Sequence, residues 1–129
     1  MASYVEGPVR AFVAGGAVGQ YLRVVLTTGK VAVAAITDGP STEIGVAEQP
    51  AFADLDVIPI RVRNAQGTQK MVAAEALAVG AAVYTAASGM VADTAAATSY
   101  LRGIALTAAG ASGDIIEVMP VWPMAQESG

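Results

Sequence analysis

Residues 45–60 read GVAEQPAFADLDVIPI, and residues 103–118 read GIALTAAGASGDIIEV. With no gap and an offset of 58, Gly45 falls on Gly103, Val46 on Ile104, Ala47 on Ala105 and Ala51 on Ala109. Asp56 then falls on Asp114, Val57 on Ile115, Ile58 on Ile116 and Ile60 on Val118. Each copy is a Gly-hydrophobic-Ala segment, an acidic turn and a β-branched run, which is the punctuation of two short strands. The likeness continues upstream. Ala17-Val18-Gly19 precedes an apolar run and then Gly29-Lys30-Val31, while Ala78-Val79-Gly80 precedes one and then Gly89-Met90-Val91. Low complexity inflates such matches; we read them as duplication of one unit, with similar halves at about 17–60 and 78–118. Two copies are too few for a solenoid, so two curled β units sharing one compact core are expected.

Within each copy Gly45, Asp56, Gly103 and Asp114 are read as structural. A carboxylate before an apolar strand accepts hydrogen bonds from nearby backbone N–H groups and fixes where the strand begins. The competing reading, a carboxylate pair for acid–base work, lacks a polar cluster beside either residue.

Gly or Pro recurs through most windows of twelve residues, leaving little room for ordinary helices. The runs between them predict strands at Val9–Val13, Tyr21–Leu26, Val31–Ile36, Ile44–Glu48, Asp56–Arg63, Gln69–Val72, Ala81–Thr85, Met90–Asp93, Leu101–Thr107 and Asp114–Val121. Asn64 to Gly67 reads as a hairpin loop, with Gly67 at positive φ. One stretch has helical spacing: Val72, Ala76 and Val79 share a face, and Gly80 follows as a C-terminal cap. A short helix is therefore expected near 72–79. The fold class is all-β, a compact barrel or sandwich of many short strands. Residues 1–16 form an N-terminal arm and first strand, 17–121 a single β domain, and 122–129 a tail.

Composition removes whole classes of chemistry. Of 129 residues, 28 are Ala, 17 Val and 14 Gly, and there is no His and no Cys. Thiolate metal sites, disulfides, His-based triads and His-ligated zinc are excluded, and no catalytic, metal or cofactor site is assigned. Seven basic against eleven acidic residues give a net charge of −4, contrary to a phosphate-tracking surface. Arg61 and Arg63 share a strand face and read as solvated. No nucleic-acid partner is expected. The longest uncharged stretch, Ala76 to Ala92, is broken by Gly80, Thr85, Ser88 and Gly89. It does not read as a membrane span, and no membrane association is expected. Glu6 and Pro8 stand where a signal peptide would be basic and then apolar.

The segment from Ala78 to Val91 (AVGAAVYTAASGMV), then Gly103-Ile104-Ala105, then Gly113 to Val118 (GDIIEV), resembles the bacteriophage capsid decoration, or cement, proteins. Tyr4-Val5-Glu6-Gly7 resembles the family's N-terminal Tyr-Val-x-Glu-Gly in shortened form. Pro8 after Glu6-Gly7, and Pro120 to Pro123 at the last strand, depart from the family's pattern. The resemblance implies a β-clip-like fold and a homotrimer on the outer surface of the virion's icosahedral head. There it would bind the major capsid protein and stabilise the head against internal DNA pressure. Within the N-terminal segment, Tyr4, Val5, Val9 and Phe12 are candidate capsid contacts by strand addition; the segment also fits the first strand of the domain's own sheet. Trp122, the single Trp, is a candidate oligomer or capsid contact. The alternatives are a trimeric β-clip nucleotide hydrolase, for which no phosphate-binding signature is found, and a host-glycan-binding surface module.

Overall fold

The computed structural model describes residues 9–39, 42–63, 67–94 and 98–120. Ten strands form: β1 (Val9–Val13), β2 (Arg23–Thr27), β3 (Lys30–Val33), β4 (Glu43–Ala47), β5 (Val57–Val62), β6 (Gln69–Val72), β7 (Ala82–Thr85), β8 (Val91–Ala92), β9 (Leu101–Ala105) and β10 (Ile115–Pro120). Most carry Val or Ile, whose branched Cβ suits a pleated surface. They pair antiparallel in two five-stranded sheets. The first has the order β1-β5-β4-β2-β3 and the second β6-β10-β9-β7-β8, so the second repeats the first five strands later.

Each sheet rolls until its two edge strands approach. Ala14, just after β1, makes a parallel bridge to Val31 of β3, and Ala73, just after β6, makes one to Val91 of β8. Both alanines are fully buried, and a larger side chain would hold the edges apart. Equivalent residues fill the two rolls: Val24 and Val83, Ala47 and Ala105, Ile58 and Ile116, Ile60 and Val118 are all buried. Val46 of β4 and the ring of Tyr21 pack into the core of the second roll, so the two cores are joined. The curl needs close backbone approach at two places. A Cβ on Gly45 would overlap the Arg61 carbonyl oxygen, and one on Gly103 would overlap that of Met119. A register shift lies beside each, at Val24/Val25 and at Val83/Tyr84, and such bulges tighten local bending.

The structure corrects three expectations. The helix near 72–79 does not form; the segment is irregular after β6. Its N–H groups are taken by non-local carbonyls: Ala73 donates to Asp114, Ala74 to Val91 and Leu77 to Ala109. Ladder pairing overrides the local propensity of alanine. Among the described residues the one helical element is a 3-10 turn at Ala87–Gly89. Next, β5 and β6 are not a hairpin, because they lie in different sheets; residues 64–66 of the expected loop lie outside the described residues, and Gly67 does have positive φ. Finally, Gly80 corresponds to Tyr21 rather than to Gly19. The Tyr21 N–H donates to Ala47 as the Gly80 N–H does to Ala105, and the backbone is left-handed at both.

Candidate functional site

Strand alternation alone would direct Arg23, Glu43 and Arg102 anywhere. The two rolls bring them together in a buried ionic cluster between the sheets. Glu43 of β4 lies between two guanidiniums: Nη1 of Arg23 on β2 donates to Oε1 at 3.0 Å, and Nε of Arg102 on β9 donates to Oε2 at 2.9 Å. All three side chains are shielded from solvent. Arg23 also donates to the carbonyls of Ala86 at 2.7 Å and Met90 at 3.1 Å, which follow β7. Nη2 of Arg102 donates to Oε1 of Gln69 at 2.7 Å, and Gln69 donates in turn to the carbonyls of Val62 and Arg63. Thr85 of β7 adds a hydroxyl bond to the Ile36 carbonyl at 2.7 Å. Burial lowers the pKa of Arg23, opposed by Glu43. Arg63 is lowered in the same way and with the same opposition.

This cluster ties every central strand of one sheet to the other. Two charges of one sign and one of the other are held out of water, an arrangement that gains little net stability but is costly to break by removing one partner. Its contribution is to fix how the two sheets meet. Pattern reading missed it because single charged residues on short strands carry no periodic signal.

Arg61 and Arg63 are not a solvated face. Both are half-buried; Nη1 of Arg63 donates to the Gly39 carbonyl at 3.1 Å. Arg61 lines a cleft of about 300 Å³ with Tyr21, Glu48, Thr68, Lys70 and Glu117. The cleft draws on both halves. Its two cations and two carboxylates balance, the Lys70 ammonium lies 5.6 Å from the centre of the Tyr21 ring, and Thr68 donates to Glu117. The ring is thus engaged by the core on one side and by a cation on the other. Elsewhere on the surface, the Glu75 and Asp93 carboxyls hydrogen-bond each other; the bond raises the pKa of Asp93, while the Thr94 hydroxyl and Asp93 lower that of Glu75. Among the described residues no three carboxylates converge as a metal site would require.

The turn residues occupy equivalent places. Oδ2 of Asp56 accepts from the N–H groups of Phe52 at 2.8 Å and Ala53 at 3.1 Å. Oδ2 of Asp114 accepts from those of Gly110 at 2.8 Å and Ala111 at 3.2 Å. Val9 and Phe12 lie on β1, which pairs with β5 as part of the domain's own sheet. Phe12 packs on the first core, and the Arg10 guanidinium stands 4.7 Å over its ring. Tyr4, Val5 and Trp122 lie outside the described residues.

Comparison with known proteins agrees with this architecture. The model of the phage cement protein family matches residues 22–120, from just before β2 to the end of β10. The chain belongs to the phage cement protein family. A solved structure, the head fiber N base of bacteriophage phi29, is similar in fold: the TM-score is 0.69 at 18% identity, covering 92% of this chain and 98% of that one. A comparison with curated proteins found none that matches. The chain is accordingly a structural, capsid-associated phage protein of all-β fold.

Proposed function

We propose that this protein binds the outer surface of an icosahedral phage head as a homotrimer, bridges major capsid subunits, and stabilises the head against the pressure of packed DNA. The observation that carries the reading is the family match, which spans nine of the ten strands and both sheets. The physical account is linkage: a ligand that binds only the assembled shell stabilises it over its dissociated subunits. Each contact can be weak, because a trimer attaches at three points and many copies act on one shell. A rigid bridge transmits force better than a hinged one, and the buried Arg23–Glu43–Arg102 cluster that joins the sheets suits that task.

Within this reading, residues 2–13 contribute part of the attachment. Among the described residues β1 is paired along its length with β5 alone, and β3 closes on it only past its end, at the Ala14–Val31 bridge; a strand of the capsid protein would add beside β1 ahead of that bridge. Tyr4, Val5, Val9 and Phe12 belong to this arm, and Trp122 in the tail is an oligomer or capsid contact. The decisive experiment is sedimentation of purified protein with mature heads and with unexpanded precursors of its phage. Co-sedimentation with mature heads alone is expected; no binding to either refutes the reading. Deletion of residues 2–8 is expected to weaken binding while leaving the fold intact. Light scattering is expected to give three chains per particle, free or on release from heads, and a strict monomer throughout refutes the trimer.

A further inference from the structure

We propose that the turn at residues 52–57 is an apolar docking tip that seats in a pocket on the shell formed by the capsid protein; this rests on the capsid reading above. Phe52 is 83% exposed, Leu55 64% and Val57 65%. Among the described residues, three of the four most exposed large apolar side chains thus fall within six positions of one turn. Scattered exposed apolar residues are ordinary, whereas a contiguous patch marks an interaction surface.

The second half contains the same turn and keeps an exposed apolar residue after the aspartate, Ile115 for Val57, but lacks the other two tip side chains. Leu55 donates its N–H to Ala14 at 2.8 Å, as Gly113 does to Ala73 at 2.8 Å, and each turn is held by its aspartate. Where the second turn has Gly110 and Gly113, the first has Phe52 and Leu55. The backbone is left-handed at both Leu55 (φ 75°) and Gly113 (φ 96°). That conformation is open to glycine and disfavoured for leucine.

Such strain is normally offset by contacts the side chain makes. Tyr21 is the comparison. It is left-handed where the second half has Gly80, and its ring is packed into the second core. Leu55, by contrast, is 64% exposed and belongs to neither core among the described residues. Strained residues that nothing internal rewards are characteristic of functional sites. The turn is also held in place. Its backbone is fixed by the Phe52 and Ala53 N–H bonds to Asp56 and by the Leu55 bond to Ala14, with the exposed Lys30–Asp54 pair at 3.1 Å beside them, so little ordering is left to be done on binding.

The size of the patch selects the occupant. Three side chains offer a few hundred Å² at most, whereas a stable contact between two copies of this chain needs about 800 Å² from each partner. A contact this small is effective where many copies stand at fixed spacing on one surface, which is the situation on a shell.

The test uses Phe52→Ser with Leu55→Gly in the full chain, with Ile115→Ser and Met119→Ser as a control on exposed positions of the second half. Mature heads lacking the protein serve as the probe, with occupancy read by sedimentation and folding by thermal unfolding. The tip variant is expected to need at least tenfold more protein for half-occupancy, with no loss of thermal stability, while the control binds as wild type. Wild-type occupancy by a folded tip variant overturns the proposal. If the wild-type protein itself fails to bind heads, the capsid reading fails and the proposal with it. If the wild-type protein is an oligomer in solution that the tip variant dissociates, the tip joins copies of this chain and the shell assignment is wrong.

Discussion

The two sheets share one strand order, one pair of edge bridges, one buried glycine and one aspartate-held turn, and they differ at a small set of positions. Val24 matches Val83, Ala47 matches Ala105 and Asp56 matches Asp114. By contrast, Arg23 stands where the second sheet has Ala82, Glu43 where it has Leu101, and Arg102 where the first has Ile44. Tyr21 faces Gly80 across the same comparison, Phe52 faces Gly110 and Leu55 faces Gly113. The matched positions build each roll. The mismatched ones join the rolls to each other or leave apolar groups in water. A unit used twice needs the same internal contacts both times, but two identical units would have no asymmetric join and no distinct outer surface.

Making the halves alike at the join is expected to have the largest effect. Glu43→Leu gives the first sheet the residue of the second and leaves Arg23 and Arg102 buried without a counter-charge, at a cost of about 3–5 kcal/mol. Denaturant unfolding measures it. A loss under about 1 kcal/mol would mean that the cluster does not hold the sheets together.

Next in size are the matched glycines. Gly45→Ala and Gly103→Ala each drive a Cβ into a backbone carbonyl, and each is expected to lose about 2–4 kcal/mol. Similar losses mean that the two rolls are equally tight; tolerance of one alone would break the equivalence. Asp56→Ala and Asp114→Ala each remove an acceptor for two backbone N–H groups and are expected to cost about 1–2 kcal/mol apiece in thermal or denaturant unfolding.

The smallest effects separate the two left-handed residues. Leu55→Gly relieves backbone strain at an exposed site and is expected to be neutral or stabilising by up to about 1 kcal/mol. Tyr21→Gly relieves the same strain but removes a packed ring, and is expected to destabilise by about 2 kcal/mol or more. If both were stabilising, Tyr21 would not be anchored by the second core.

All ten strands were legible, because short β-branched runs between Gly and Pro are local signals that pairing reinforces. The expected helix at 72–79 failed for the complementary reason: helix propensity is a weak preference, and the carbonyls of Val91, Ala109 and Asp114, distant in sequence, take the N–H groups of Ala74, Leu77 and Ala73. The hairpin expected between β5 and β6 fails, since the two lie in different sheets: turn residues state that the chain bends but not which strand it next meets. At the candidate sites, the hydrogen-bonded turns at Asp56 and Asp114 stood out because each lies in a six-residue stretch, whereas Arg23, Glu43 and Arg102 are separated by up to 79 positions and carry no common pattern.

By itself, the sequence determined the β class, the strand positions, the repeated acidic turn and the absence of His and Cys chemistry, since each depends on residue type within a short window. The tertiary structure alone decided that the repeat extends to a whole sheet order, that three isolated charged residues become one buried join, and that Tyr21 is covered while Leu55 is exposed. Those facts depend on which distant residues share space, and a left-handed tyrosine and a left-handed leucine are alike until their surroundings are known.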